Sequence, residues 1–172
     1  CVIFTIVIMG FILCSPDIFK IIAPSNYWSG IVITPLVAMA YYVDFLYSFP
    51  GNHEFYNEKT NLIMWGTVFA AIINIVLNLY LIPKMHGLGA AIATLISMIC
   101  MLLFHEYNAR KRIGNFEFDF RLYIFGFLAC MISVITFYLF LNSWIIRWSC
   151  SVGLAVALVW YINENKEFLR NF

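Results

Sequence analysis

Residues 61–97 read NLIMWGTVFAAIINIVLNLYLI, then PKMH, then GLGAAIATLIS, and this stretch decides how the chain folds. No charged residue occurs from Asn61 to Ile82. A helix of that length extends about 33 Å at about 1.5 Å per residue, which is enough to cross a bilayer core. The polar link at 83–86 is too short to hold a domain, so the chain must turn straight back into the membrane. We therefore predict a helical hairpin with spans at 61–82 and 87–104.

The composition of the whole chain also indicates a membrane protein. Hydrophobic residues make up 63% of the 172 residues and charged residues 11%, against about 45–50% and about 25% in soluble domains. A soluble fold of this size could not bury so many apolar side chains. The predicted fold class is therefore all-α, a polytopic transmembrane helical bundle. The net charge of +1 gives no reason to expect a nucleic-acid partner.

Hydropathy along the chain predicts six membrane helices in one transmembrane domain, residues 1–172. Their approximate bounds are 1–14, 29–47, 61–82, 87–104, 122–141 and 143–162. The first is too short to span and is expected to end at Ser15-Pro16, so we expect the chain to be the C-terminal part of a longer protein. Between the second and third spans, residues 49–60 are predicted to form a polar loop around the turn residues Pro50-Gly51-Asn52.

The hairpin carries a pattern shared with a known family. In order, it contains Asn74-x-x-x-Asn78, Leu81-Ile82-Pro83-Lys84 and Gly87-x-Gly89-Ala90-Ala91-x-Ala93-Thr94. This arrangement between two hydrophobic spans resembles prokaryotic polysaccharide (O-antigen-type) flippases, which belong to the multidrug/oligosaccharidyl-lipid/polysaccharide exporter superfamily.

The resemblance implies the C-terminal part of a flippase with two helical lobes around a central cavity. It implies flipping of polyprenyl-pyrophosphate-linked oligosaccharide units by alternating access, for surface polysaccharide biosynthesis. The implied partners are the lipid bilayer, the polyprenyl-linked oligosaccharide and polysaccharide assembly proteins. No cofactor, metal or enzymatic activity is expected.

The distribution of Lys and Arg predicts the orientation of the chain. Six alternating spans place Lys20, Lys84 and Arg147 on one side of the membrane. The other side receives a larger set, consisting of Lys59, Arg110, Lys111, Arg112, Arg121, Lys166 and Arg170. The positive-inside rule makes the second side cytoplasmic. We therefore predict a multi-pass protein of the cytoplasmic (inner) membrane with its C-terminus in the cytoplasm.

Polar residues in the hairpin have two interpretations. Asn74 and Asn78 lie on one helical face, which Thr67 also shares. Such a stripe must face protein or a water-filled cavity, because lipid offers no hydrogen-bond partner. We favour hydrogen bonding between helices over contact with sugar hydroxyls, since polar residues inside membrane bundles often serve packing.

A second set of hairpin residues is small. Its members allow helix backbones to approach closely, and they are Gly87, Gly89, Ala91, Ala93 and Thr94. Helix packing is the favoured interpretation for all of them, ahead of ligand contact.

The charged residues also have alternative interpretations. Lys59, Arg110, Lys111 and Arg112 are expected to fix topology and attract anionic lipid, with contact to the substrate pyrophosphate as the functional alternative. Asp44 is the one acid inside a predicted span. We expect it to reach the membrane interface, with coupling to a proton or cation as the less favoured role.

Metal binding and catalysis are not predicted. The pairs His53-Glu54 and His105-Glu106 lack the i, i+4 spacing that places two ligands on one helical face. No phosphate-binding loop or nucleophile motif occurs. The alternatives to a polysaccharide flippase are a lipid II flippase or multidrug exporter, a membrane enzyme of polysaccharide assembly (a polymerase or acyltransferase), and an inactive remnant.

Overall fold

The computed structural model describes residues 1–116 and 118–164, and in these residues all regular structure is helical. This confirms the all-α class. Five α-helices follow one another: α1 (Val2–Ile22), α2 (Thr34–Tyr56), α3 (Thr60–Asn108), α4 (Phe120–Leu139) and α5 (Trp144–Glu164). A 3₁₀-helix (Ser25–Val32) precedes α2, and a π-helical turn (Ala109–Ile113) follows α3.

Several of these helices are long and apolar enough to cross a membrane. Among the described residues there are three such elements: α1, α3 together with the π-helical turn, and α4. A fourth results if the 3₁₀-helix and α2, which meet at a bend of 53°, form one span. The apolar part of α5, Trp144–Ala157, is shorter. The chain therefore has the helices of a membrane-embedded protein.

The chain forms two compact units. One consists of Cys1–Ile31 and residues from Ile124 onward, and in it α1 packs against α5. The other is Val32–Tyr123, in which α2 packs along α3. The hairpin and all of the predicted site residues belong to the second unit.

Helix α3 folds back on itself at His86. A straight helix of 49 residues would be about 73 Å long, yet Asn74 Nδ2 lies 3.2 Å from Ser97 Oγ and the rings of Phe69 and Phe104 are 6.1 Å apart. In each pair, one residue precedes His86 by nearly as many positions as the other follows it. Residues 60–85 (the first arm) and 87–108 (the second arm) therefore run antiparallel, as the sequence predicts.

The turn itself is tighter than the predicted four-residue link. The first arm stays helical through Pro83 to Met85, and His86 is the one residue of α3 with non-helical backbone angles (φ 49°, ψ −129°). Gly89 follows closely, and a Cβ on it would lie 2.5 Å from the carbonyl oxygen of Leu81. A side chain at Gly89 would thus prevent the arms from meeting so near the turn.

The predicted end of the first helix at Ser15-Pro16 is wrong. Helix α1 continues through Pro16 to Ile22. Pro16 has no N–H to donate to the carbonyl of Ile12, but the Ser15 hydroxyl donates to that carbonyl over 2.9 Å. Because the carbonyl is satisfied, the helix passes the proline, and its 21 residues are long enough to span a membrane.

The predicted loop at 49–60 is also wrong over most of its length. Helix α2 includes Pro50 and Gly51, which are both buried, and it ends at Tyr56. Burial of this turn against neighbouring residues outweighs the local turn preference of the Pro-Gly pair. The helix then ends because Glu58 adopts a left-handed backbone (φ 57°), and the N–H groups of Glu58 and Lys59 bond back to the carbonyls of Phe55 and Glu54.

Candidate functional site

The two hairpin asparagines form a ladder of hydrogen bonds inside the hairpin. The Asn74 amide donates to Ser97 Oγ over 3.2 Å and to Thr94 Oγ1 over 3.5 Å, both on the second arm. Asn78 donates to Asn74 Oδ1 over 2.8 Å. Asn78 Oδ1 is buried and accepts no hydrogen bond from the described residues. This geometry favours the packing interpretation for Asn74 and leaves one acceptor free on Asn78.

Thr67 does not belong to this ladder. Its side chain is exposed, and its hydroxyl donates to the carbonyl of Ile63 on its own helix over 2.9 Å. The shared helical face predicted for the three residues therefore does not produce a shared contact.

The small residues of the second arm lie where backbones approach closely. A Cβ on Gly87 would lie 2.8 Å from Ile33 Cδ1. Ala91 and Ala93 are buried, with 4% and 0% of their surface exposed. Gly89 borders Leu81 near the turn, and Thr94 both donates to the carbonyl of Ala90 and contacts Asn74. These contacts are the kind that the packing interpretation requires.

The basic residues divide into two groups. Because the arms are antiparallel, Lys59 at the start of α3 lies at the same end of the hairpin as Lys111 and Arg112, and all three are exposed. Arg110, in contrast, has its Nε 2.5 Å from Glu106 Oε1 and donates from Nη2 to the carbonyl of Phe118 over 2.6 Å. Arg110 therefore anchors the segment after the hairpin, which leaves Lys59, Lys111 and Arg112 available to an anion.

A buried acid–base pair, not singled out by the sequence, joins α2 to the hairpin. His105 Nδ1 lies 2.6 Å from Glu54 Oε2, and both side chains are fully buried. The ring of Tyr47 lies 4.7 Å from the imidazole. Glu54 Oε1 and His105 Nε2 have no hydrogen-bond partner in the described chain. Sequence spacing relates Glu54 and His105 only to their chain neighbours His53 and Glu106, as pairs of metal ligands. It gives no sign that Glu54 and His105 pair across 51 positions.

Gly66 makes room for this pair. A Cβ at this position would lie 2.1 Å from His105 Nε2 and 2.6 Å from its Cε1. The imidazole therefore packs directly on the bare backbone of the first arm, and the pair connects three helical segments of the unit.

A second buried charge, Arg147, joins α1 to α5 in the other unit. Its side chain is 1% exposed, and Nη2 lies 2.7 Å from Asp17 Oδ2. Nε donates to the carbonyl of Leu13 over 3.0 Å, three positions before Pro16 in α1. Nη1 donates to the carbonyls of Phe140 and Leu141. The guanidinium thus satisfies backbone groups that membrane-embedded segments cannot leave unpaired.

The sequence contained a signal for this contact. The predicted topology places the segments after the first and fifth helices on the same side, which brings Asp17 and Arg147 to one membrane face. A charge beside an apolar helix needs a partner. The sequence therefore favours an ion pair between Asp17 and Arg147.

Asp44 lies on α2 with its side chain exposed, beside a cavity shared with the second arm. A metal centre is not indicated, since no three His, Cys, Asp or Glu side chains in 1–116 and 118–164 are grouped so that they could hold a metal ion.

No family model, no curated protein and no solved structure matches this chain.

Proposed function

We propose that this chain is part of a flippase for polyprenyl-pyrophosphate-linked oligosaccharides in the cytoplasmic membrane. The sugar and pyrophosphate would cross through a hydrated cavity while the lipid tail stays in the bilayer, with alternating access as the cycle. The proposal rests on the resemblance of the hairpin sequence to polysaccharide flippases. The observation that carries it furthest is the antiparallel hairpin, in which the shared Asn and Gly positions make the contacts between arms.

The proposed topology has six spans. They are α1, the bent pair formed by the 3₁₀-helix and α2, the two arms of α3, α4 and α5. Lys59, Lys111 and Arg112 then lie on the cytoplasmic side, where the substrate enters, and Lys84 lies on the outer side. The C-terminal tail, which begins after Glu164 and would be cytoplasmic, lies outside the described residues.

The three exposed cations suit a pyrophosphate entering from the cytoplasm. Paired positive groups form charge-assisted hydrogen bonds with a multiply charged phosphate. Arg110 is excluded from this role because its guanidinium is bound to Glu106 and Phe118. We therefore assign initial substrate capture to Lys59, Lys111 and Arg112, and keep the part-buried Asn78 side chain as the candidate for sugar contact.

A reconstituted flipping assay tests the proposal. The protein, together with any further chain that its gene encodes, is placed in vesicles containing a fluorescent undecaprenyl-pyrophosphate oligosaccharide, and the rate of transfer between leaflets is measured. Replacing Lys59, Lys111 and Arg112 with Gln should lower the rate at least tenfold. The matched control replaces Lys20 and Lys84, predicted to lie on the opposite side, and should retain the rate.

Two outcomes would contradict the proposal. If the folded wild-type protein transfers no lipid-linked oligosaccharide, the flippase function is ruled out. The remaining candidates are then an inactive remnant and another exporter. Equal losses of transfer rate in the capture variant and in the control would show that Lys59, Lys111 and Arg112 have no specific role in substrate capture. Asn74→Leu with Asn78→Leu should slow transfer while leaving membrane insertion intact, and unchanged transfer would leave these residues a packing role alone.

A further inference from the structure

A cavity of about 370 Å³ lies between α2 and the second arm of the hairpin. Its walls are mostly apolar, with Ile33 and Val37 on α2 and its approach, and the small residues Gly87 and Ala90 on the second arm. Small residues on one wall leave space that larger side chains would fill. The volume lies at the lower end of ligand pockets in proteins, which range from about 300 to about 1,000 Å³.

Asp44 supplies the only carboxylate among the residues that line this cavity. In the described part of the chain, its side chain forms no ion pair and no hydrogen bond, although a charge in or beside hydrocarbon normally has a partner. The other polar groups at the cavity are the hydroxyls of Tyr41 and Thr94. The cavity thus combines an apolar surface with one uncompensated negative charge.

An inorganic cation does not fit this set of groups. Hard cations take six or more oxygen ligands, or several waters with one or two carboxylates. Here the Thr94 hydroxyl already donates to the carbonyl of Ala90 and accepts from Asn74. One carboxylate and one phenol hydroxyl remain, set among aliphatic side chains, and these favour an organic cation whose own surface is apolar.

We propose that the cavity binds an amphiphile carrying a single ammonium group on an apolar body. The ammonium forms a charge-assisted contact with Asp44, and the face of the Tyr41 ring offers a cation–π site. The apolar body covers Ile33, Val37 and the alanine wall. Such a ligand gains from both features of the cavity, whereas an anion is repelled and a neutral amphiphile leaves Asp44 without a partner.

The ammonium site does not depend on the flippase proposal. It would exist in a transporter of any substrate and in an inactive remnant. Its test measures binding and not transport, so failure of the one proposal leaves the other standing.

The test uses benzyltrimethylammonium as the probe, titrated into the full chain in dodecyl maltoside micelles, which carry no ammonium group, and followed by calorimetry. The wild type should bind one probe per chain. Asp44→Asn, which preserves shape and removes the charge, should weaken binding at least tenfold. Glu58→Gln is the matched control, because it removes an exposed acid of the same unit that lies away from this cavity, and it should bind like the wild type.

A second variant keeps the result interpretable if Asp44→Asn fails to fold. Ala90→Leu fills the cavity and retains the charge, and it should also weaken binding at least tenfold. Absence of probe binding to folded wild type, or equal weakening by Asp44→Asn and Glu58→Gln, would overturn the proposal. So would unchanged binding in both cavity variants.

The ammonium group of the natural ligand has two possible sources, a membrane lipid or a soluble amine. Adding phosphatidylethanolamine to the ammonium-free micelles distinguishes them. Competition between this lipid and the probe would identify the lipid headgroup as the ligand. Undiminished probe binding would exclude this lipid headgroup and leave a soluble amphiphilic amine as the source.

Discussion

Glu54 and His105 are 51 positions apart in the chain, yet their side chains meet 2.6 Å apart with no exposure to solvent. The contact joins α2 to the second arm of the hairpin, and Gly66 brings the first arm against the same imidazole. One acid–base pair therefore connects the three helical segments that make up most of the second unit. Its energetic contribution is directly measurable.

Replacing only one member of the pair should be costly. Glu54→Leu leaves His105 buried without its partner, and we expect the free energy of unfolding to fall by about 3–5 kcal/mol. Reversible unfolding by sodium dodecyl sulfate in mixed micelles measures this change. Glu58→Leu removes an exposed acid four positions along and should change stability by less than about 0.5 kcal/mol.

Replacing both members should be much less costly than the sum of the single changes. Glu54→Leu with His105→Leu removes both polar groups, so no buried charge remains unpaired. A double-mutant cycle should therefore give a coupling energy of about 1–3 kcal/mol. Additive losses would mean that the two side chains contribute independently.

Gly66→Ala should destabilise the protein through a steric clash. The added methyl would lie 2.1 Å from His105 Nε2, and we expect a loss of about 1–3 kcal/mol from overpacking. Gly153→Ala is the matched control, because a Cβ there meets nothing within 4 Å. In helix α5 this change should be neutral or stabilise by about 0.5–1 kcal/mol. A neutral Gly66→Ala would mean that the arms do not meet at His105.

Arg147→Met should destabilise the unit that contains α1 and α5. It removes the Nε donor of the Leu13 carbonyl and the cationic partner of Asp17, which keeps only the Trp148 indole N–H, and we expect a loss of about 3–5 kcal/mol. Arg112→Met, at an exposed site, should be nearly neutral. Arg147→Lys should not restore stability, because an ammonium lacks the planar fork that reaches several acceptors. Full rescue by Lys would reduce the contact to a simple ion pair.

The hairpin itself can be tested by a distance measurement. Spin labels at Met64 and Tyr107, which are both exposed, would be about 65 Å apart along a straight helix. Neighbouring antiparallel helices have axes about 8–10 Å apart. Double electron–electron resonance should therefore give a distance between the two spin labels below about 30 Å. The five native cysteines are first replaced with alanine. A long distance would show that the arms separate.

The sequence predicts those parts of the fold that depend on hydrophobic length. The uncharged run from Asn61 to Ile82 and the short polar link after it are sufficient to predict the hairpin. It predicts helix ends less well, because Pro16 and Pro50 are typical of helix ends and turns, yet both lie inside helices. Ser15 supplies the missing hydrogen bond in one case and burial of Gly51 stabilises the helix in the other, and both depend on local or tertiary contacts that a single residue type does not reveal.

The candidate sites show the same division. Helical spacing predicts that Asn74 and Asn78 share one face, and the contacts of Asn74 with Ser97 and Thr94 follow once the arms are antiparallel. The partner of His105 could not be predicted in this way, because Glu54 lies on another helix and no periodicity relates two separate helices. Asp44 could be recognised as an acid in an apolar segment, but the cavity beside it depends on how α2 crosses the second arm.

The turn at His86 also predicts where the gene tolerates changes in length. One codon inserted between Asn74 and the turn, or between the turn and Ser97, would rotate the residues beyond it by about 100° around the helix axis relative to the other arm, which separates Gly66 from His105 and Asn74 from Ser97 together. An insertion beside His86 would only lengthen the connection, since the contacts on both arms keep their spacing. Insertion scanning should therefore recover folded protein at this position and lose it between the turn and these contacts.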